Sequence, residues 1–174
     1  EKAQQRNQEL IEAAWPDEDD RQAYFQSIDK YYTGKHSDEI YRTRGGAKFV
    51  SEESEEPVVI YMQKSQTTWP DDGDDEEIAA LDNEYSQAVI HKNDLVLGYY
   101  PMRHGWGANS DEYVDVFVYK SLADLEKAGE KTGELVQAHW SDETARGKFF
   151  DRYNAYFTGW HADYLYMTVP ELDK

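Results

Sequence analysis

The feature that most constrains the fold of this chain is an internal repeat. Residues 1–43 align without a gap on residues 126–168, an offset of 125, and 18 of the 43 aligned positions are identical. The shared positions include Trp-x-Asp-Glu at 15–18 and 140–143 and Thr-Gly-x-His-x-Asp at 33–38 and 158–163. Because similarity at a fixed offset marks a repeated structural unit, we expect both segments to adopt the same local structure.

The second copy predicts the content of that unit. Apolar residues recur at helical spacing over 122–139, and the Ser-Asp-Glu at 141–143 is typical of an N-cap followed by the acidic first turn of a new helix. This second helix is expected to run to about Phe157, where Gly159 supplies the left-handed residue that ends it. Alternation of residue types over 162–169 then predicts a strand.

The segment between the copies has an α/β pattern. We predict a strand at 57–63, a helix at 75–92, and two strands at 95–103 and 112–120 that are joined by a hairpin loop at 104–110. With the second copy, the order becomes β-α-β-β-α-β. That order is typical of a ferredoxin-like unit, in which an antiparallel four-stranded sheet carries its helices on one face. The predicted class is α+β, with an extra α-β copy of the second half in front of the unit.

The repeat also predicts the domain organisation. Residues 1–50 form a partial repeat, 51–56 an acidic linker, and 57–174 the ferredoxin-like domain. A complete first copy would need a front half of about 69 residues, the length of 57–125, so the repeat predicts a tandem ancestor of two such units. The sequence leaves open whether that half was deleted, removed by proteolysis or lies outside this chain.

Composition excludes several function classes. Lys and Arg number 18 against 36 Asp and Glu, a formal net charge of −18, so the basic stripe needed for nucleic acid is missing. No apolar run reaches the length of a membrane span, and the absence of cysteine excludes disulfides, zinc thiolate sites and thiol catalysis. The acidic balance suits contact with salty water, and we expect a periplasmic or secreted protein.

The strand Glu112–Lys120, the segment Ser121–Glu126 that follows it and the β-α-β-β-α-β order resemble the dimeric α/β-barrel superfamily, with its antibiotic-biosynthesis-monooxygenase-like and stress-responsive members. The resemblance implies that two sheets pack face to face, in a homodimer or in a tandem pseudo-dimer. It implies a small, often aromatic ligand in a cleft between sheet and helices. Some relatives are cofactor-independent oxygenases or isomerases, and some bind haem.

The repeated Thr-Gly-x-His-x-Asp pattern supplies the first candidate site. On a strand, His161 and Asp163 share one face, where the carboxylate could orient the imidazole as a general base or both could bind a metal. His36 and Asp38 are their equivalents in the first copy. The alternative interpretation is structural, with the histidine bonded to the end of the preceding helix and the aspartate in a turn.

The predicted hairpin loop supplies the second candidate site. Arg103, His104 and Trp106 could form the rim of a cleft, with His104 as an acid or base and Trp106 stacked on a ligand. The alternative is a glycine-rich hairpin whose tryptophan folds back on the sheet. The many tyrosines of the sheet, Tyr99 among them, are expected mainly in the core and at the barrel interface, and a subset could line a pocket.

These observations lead to a small-molecule-binding barrel protein, which could be a cofactor-independent oxygenase, isomerase or lyase. The residues assigned to catalysis are His161, Asp163, His104 and Tyr166, and those assigned to ligand binding are Trp106, Trp160, Arg103, Tyr99, His36 and Asp38. The competing hypothesis is a binding or oligomerisation module with structural histidines, and a metal or haem protein is a third. No cofactor and no metal ligand are predicted.

Overall fold

A computed structural model describes residues 2–51 and 55–172, and in it the chain divides into two compact units, Glu1–Ser37 and Asp38–Lys174. The smaller unit contains α1 (Lys2–Ala14) and α2 (Glu18–Asp29). Besides two short helical turns, Ser86–Ile90 and Pro170–Leu172, the larger unit contains β1 (Ile40–Thr43), β2 (Val59–Thr67), α3 (Asp75–Tyr85), β3 (Gly98–Trp106), β4 (Glu112–Tyr119), α4 (Leu122–His139), α5 (Glu143–Asn154) and β5 (Phe157–Met167). Within the described ranges, no helix is both long and apolar enough to cross a membrane.

The larger unit is built on one open antiparallel sheet with the strand order β1-β3-β4-β2-β5. The predicted α+β class is therefore confirmed at this level. The strand of the first copy, β1, hydrogen-bonds along the edge of β3, so the predicted partial repeat 1–50 is divided between the two units. Of the predicted linker 51–56, residues 52–54 lie outside the described residues.

The two faces of the sheet have different surroundings. Residues that lie opposite one another in neighbouring antiparallel strands share a face, so the register assigns each side chain. One face packs against α4, α5 and the π-helical turn Ser86–Ile90 that continues α3, and its main apolar contributors are Val59, Tyr61, Tyr99, Phe117 and Tyr119. The other face carries Ile60, Met62, Tyr100, Val116, Tyr164 and Tyr166. In the larger unit, the core clusters lie on the first face, and we call the second the open face.

The helical part of the repeat has the local structure that its sequence predicts, whereas the strands differ, since β5 covers Phe157–Met167 and the equivalent residues 32–42 form a strand only from Ile40. The helices α2 and α5 begin at equivalent positions, and the side chains of Asp17 and Asp142 cap them by accepting a hydrogen bond from the backbone N–H three residues later. The Arg21 guanidinium donates to the Trp15 carbonyl oxygen at 2.9 Å, and Arg146 donates to the Trp140 carbonyl oxygen at 3.1 Å.

The two copies differ in how deeply their side chains are buried. Neither α1 nor α2 contains a buried residue, whereas α4 and α5 bury Ala128 and Phe149 and Trp140 is buried just after α4. The contrast is largest at Tyr31, which is 76% exposed, and its equivalent Tyr156, which is 2% exposed. The same helical pair therefore forms without a covered face in the smaller unit and builds the core of the larger one.

Several predicted boundaries are wrong. The helix α5 ends at Asn154, and Gly159, with φ of +84°, lies inside β5 rather than at a helix end. Its left-handed backbone falls at the register shift between Ser65 and Thr67 of β2, where β5 accommodates two extra residues. Likewise β3 runs to Trp106, because its pairing with β1 extends beyond the predicted strand end, so His104 and Trp106 lie in a strand and not in a hairpin loop.

The unequal burial of the two copies predicts unequal effects of the same substitution. We expect Trp140→Ala to lower the free energy of unfolding of the larger unit by about 3–5 kcal/mol, because it leaves a cavity among Phe149 and Phe150. The matched control Trp15→Ala should leave the larger unit's unfolding unchanged. Urea unfolding followed by near-ultraviolet circular dichroism measures both, and an equal loss in the two variants would contradict the assignment of the core.

Candidate functional site

A cleft made of two adjoining cavities lies in the larger unit, where α3 approaches β1, β3 and β4. The first cavity has a volume of about 370 Å³ and the second about 280 Å³. Both are lined by Asp75, Arg103 and Tyr113, so the two cavities are adjacent and share part of their walls. The first is completed by Thr43, Arg44, Gly45, Ile78, Ala79 and Asp82, and the second by Arg42, Thr67, Trp69, His104, Gly105, Ser110, Asp111 and Glu112.

The wall that α3 contributes is one face of that helix. Asp75, Ile78, Ala79 and Asp82 follow one another at spacings of three, one and three residues, so they share a side of the helix. Asp74 caps the start of α3 by accepting from the Glu77 N–H at 2.8 Å, which fixes where the helix begins. The predicted start of this helix at residue 75 is confirmed.

A buried ionic cluster forms the floor of the first cavity. The Arg44 side chain is only 6% exposed, and its guanidinium pairs with the carboxylates of Asp82 and Asp115, the latter at 2.6 Å. The same guanidinium lies over the Tyr113 ring, 4.1 Å from the ring centroid. It thereby ties the segment after β1 to α3 and to β4.

Two tyrosine hydroxyls complete this cluster. Tyr99 donates to Oδ1 of Asp115 at 2.8 Å, and Tyr153 donates to Oδ1 of Asp82 at 2.8 Å. Burial, and then the neighbouring carboxylates, raise the pKa of both tyrosines well above the ordinary value. Burial also raises the pKa of Asp115, against the pull of Arg44. Both carboxylates are bonded on more than one side, as buried charges require.

A second polar network borders the other cavity. Glu112, which is 6% exposed, accepts from the Tyr41 hydroxyl, from Lys64 Nζ at 3.1 Å and from the Asn109 amide at 3.1 Å. Burial works to raise the pKa of Glu112, but these donors outweigh it and hold the pKa below its ordinary value. Glu112 is thus an anion whose charge is already compensated by Lys64.

The structure places two of the residues predicted for the hairpin loop in the cleft. Arg103 lines both cavities and makes an ion contact of 3.5 Å with Asp75, in which the two side chains are 51% and 74% exposed. His104 lines the second cavity, and its Nδ1 is buried without a hydrogen-bond partner among the described residues. Trp106 is not among the lining residues, is 62% exposed and lies opposite Ile40.

The predicted His161–Asp163 pair also comes together. His161 Nε2 lies 3.3 Å from Asp163 Oδ2, and Oδ1 of the same carboxylate accepts from the Tyr61 hydroxyl at 2.6 Å and the Gln63 amide at 3.0 Å. The Tyr61 and Gln63 hydrogen bonds lower the pKa of Asp163. The pair lies on the edge strand β5 with side chains 54% and 44% exposed, and neither residue lines the cleft.

The remaining predicted site residues are dispersed. Tyr166 lies on the opposite face of β5 from His161 and Asp163, where its ring stacks on Tyr164 with centroids 6.4 Å apart. Trp160 is 53% exposed in the same strand. His36 belongs to the smaller unit, and Asp38 begins the larger one. Tyr99, predicted to bind ligand, instead serves the ionic cluster below the cleft.

Sequence reasoning missed the ionic cluster itself. One signal was present, because Asp115 alternates with Tyr113 and Phe117 on the face of β4 that packs on the helices. A carboxylate at an inward position of a strand indicates a buried partner. Neither Arg44 nor Asp82 stands in any pattern that identifies it as that partner, since their meeting depends on how β1 and α3 pack.

Comparison with known proteins gives no assignment: no family model, no curated protein and no solved structure matches this chain. Across the described ranges, no group of three or more His, Asp or Glu side chains is arranged to hold a metal ion.

The ionic cluster predicts a large effect of removing its cation. Arg44→Met leaves Asp82 and Asp115 buried without compensation, so we expect the larger unit to lose about 3–5 kcal/mol in its free energy of unfolding. Because burial raises the pKa of Asp115, this loss should grow as the pH rises above the ordinary carboxyl pKa of about 3.9. Urea unfolding across a pH series measures it.

The control for that series is Arg6→Met. Arg6 is 68% exposed, so its substitution should change stability by less than about 0.5 kcal/mol at every pH. A pH-independent loss in Arg44→Met would mean that packing, and not the uncompensated carboxylates, explains the effect.

Proposed function

We propose that this protein binds a small organic molecule in the cleft between α3 and the strands β1, β3 and β4. The observation that carries the proposal is a pair of adjoining cavities of about 370 and 280 Å³, the first of which lies over a floor of buried charges. The larger volume lies in the range of about 300–1,000 Å³ that is typical of small-molecule sites.

The chemistry of the lining supports binding. Apolar surface comes from Ile78, Ala79 and the half-exposed indole of Trp69, while Arg103 and Asp75 supply charge at the junction of the cavities. Arg44 is held by two carboxylates, so the floor is rigid before any ligand arrives. A preformed site has a smaller entropic cost of binding than one that must be ordered by its ligand.

We further infer that the larger unit has the ferredoxin-like arrangement of the dimeric α/β-barrel type. In support, the strands apart from β1 have the order β5-β2-β4-β3, with α3 between β2 and β3 along the chain and α4 and α5 between β4 and β5. Barrels of this type are expected to bind their ligand between the sheet and the helices, which is where this cleft lies.

If the protein also catalyses a reaction, as a cofactor-independent oxygenase, isomerase or lyase, His104 is the group in the cleft that would transfer a proton. It is the imidazole among the lining residues, and its Nδ1 has no competing partner in the described part of the chain. The His161–Asp163 pair would be a separate site, since a carboxylate held by Tyr61 orients an exposed imidazole there.

The cleft can be tested by filling it. Ala79 lines the first cavity and is exposed on α3, so Ala79→Trp should occupy the cavity without disturbing the core. We expect a thermal-shift screen of metabolite-like compounds to find ligands that raise the melting temperature of the wild type by several degrees at saturation and not that of Ala79→Trp.

The matched control is Ala80→Trp, which places the same indole on the next residue of α3, outside the lining. The ligands should stabilise this variant as they stabilise the wild type. Ligands that act equally on both tryptophan variants, or a screen without any stabilising compound, would contradict the proposal.

The second candidate function is assembly, and the open face favours it. We propose that two copies of the chain pair through this face, because it presents Ile60, Met62, Val116 and Tyr100 while the helices of the larger unit pack on the other side. At the edge of this face, Tyr164 and Tyr166 are 40% and 50% exposed. Contiguous apolar surface of this kind is typical of protein interfaces.

Analytical ultracentrifugation tests the assembly. We expect the wild type to sediment as a dimer and the double variant Tyr164→Lys, Tyr166→Lys as a monomer. In a dimer of the variant, the positive charges of the new lysines would lie in the interface between the two copies and repel each other. Leu165→Lys is the matched control, since Leu165 is 57% exposed on the opposite face of the same strand, and it should remain dimeric. A monomeric wild type, or dissociation by Leu165→Lys alone, would contradict pairing through the open face.

A further inference from the structure

Two arginines face each other across neighbouring strands at the second cavity. Arg42 of β1 lies directly opposite Arg103 of β3 in the register of the sheet, and both line the cavity. Side chains at such positions start about 5 Å apart, and like charges there destabilise a sheet. The chain has 36 Asp and Glu and a net charge of −18, and a carboxylate opposite either arginine would stabilise the sheet. The pairing of two arginines therefore needs an explanation other than stability.

The partners of these arginines are incomplete. Among the described residues, the one ion pair of Arg103 is the 3.5 Å contact with Asp75, and both of these side chains are mostly exposed to solvent. Arg42 makes no hydrogen bond or ion pair in the part of the chain that the structure describes. It differs in this from the other six arginines, each of which bonds to a carboxylate or to a backbone carbonyl. The cavity therefore contains guanidinium donors that the protein itself does not use.

The groups around the pair restrict the charge of a ligand. Asp75, Asp111 and Glu112 also line the cavity, and Lys64 compensates Glu112, so the local charge is close to balanced. A singly charged anion gains from two guanidinium forks under these conditions, whereas a doubly charged phosphate meets more repulsion from the acids. A carboxylate also matches the planar fork of an arginine.

The walls next to the pair are aromatic and polar. The Trp69 indole is 51% exposed, and the Tyr113 ring lies at the junction with the first cavity. The hydroxyls of Thr67 and Ser110 belong to the same lining. A planar ring attached to the carboxylate would lie against the aromatic surfaces while its charged end reached the arginines.

We propose that the ligand of this cleft is a small aromatic carboxylate, whose carboxylate group binds between Arg42 and Arg103. This inference rests on the proposed binding function and adds its chemical class. The two guanidinium groups repel each other in the free protein, and the bound anion relieves that repulsion. The site is thus built for binding at a small cost in stability.

Benzoate is the probe, with benzamide as its neutral equivalent and phenyl phosphate as the doubly charged one, each titrated into the intact chain and followed by amide NMR shifts. We expect benzoate to bind more tightly than either. Arg42→Gln and Arg103→Gln should each weaken benzoate by about tenfold or more, the effect of losing a charged hydrogen bond, while Arg6→Gln outside the cleft changes nothing.

The stability of the variants separates binding from folding. Arg42→Glu should abolish benzoate binding and yet raise the melting temperature, because an opposite-charge pair replaces the like-charge pair with Arg103. A purely structural role of Arg42 would produce the reverse, a loss of stability. That result would overturn the proposal, as would benzoate affinity that is unchanged in Arg42→Gln or equalled by benzamide or phenyl phosphate.

This failure is distinguishable from failure of the binding function. One outcome would overturn the carboxylate class alone. In that outcome, neutral compounds bind the wild type and not Ala79→Trp, while benzoate either does not bind or binds Arg42→Gln as tightly as the wild type. If no compound distinguishes Ala79→Trp from Ala80→Trp and benzoate does not bind the wild type, the cleft is not a binding site and both proposals fall.

Discussion

The ion cluster centred on Arg44 is the interaction on which the rest of the larger unit depends. One guanidinium joins the segment after β1, the helix α3 and the strand β4, and Tyr99 and Tyr153 bond to the carboxylates from β3 and α5. Charges this deeply buried stabilise a protein only when each is paired, so the cluster permits little variation in how these elements approach one another. The cleft above it takes its shape from that restriction.

The same restriction connects the repeat to the candidate site. The second copy of the helical pair packs on the sheet, and Tyr153 of α5 reaches the cluster from there, whereas the first copy contributes β1, which carries Arg42 and leads into Arg44. Both copies of the repeat therefore contribute to the ion cluster and to the cleft beside it. Arg42 and Arg103 face each other at the rim of the cleft, and the repulsion between their charges lowers the stability of the sheet. The ion cluster stabilises the same unit and can offset that loss.

Much of the fold followed from pattern, and the site did not. The helix starts at Glu18 and Glu143 were predictable because an aspartate cap and an acidic first turn are local signals. Arg103 and His104 were predicted as site residues from their density of functional groups, and both line the cleft. The loop predicted to begin at His104 was wrong, because the length of β3 depends on its pairing with β1 and not on its own sequence.

By itself, the sequence determined the repeat, the α+β class and the local form of the helical pair, since capping, helical periodicity and a fixed offset are all properties of neighbouring residues. Only the tertiary structure decided that Asp82, Asp115 and Arg44 meet, that Arg42 lies opposite Arg103, and that His161 is not among the residues that line the cleft. The physical reason is that each of these relations joins residues far apart in the chain. Strand order and register, which place them together, are fixed by packing across the whole sheet.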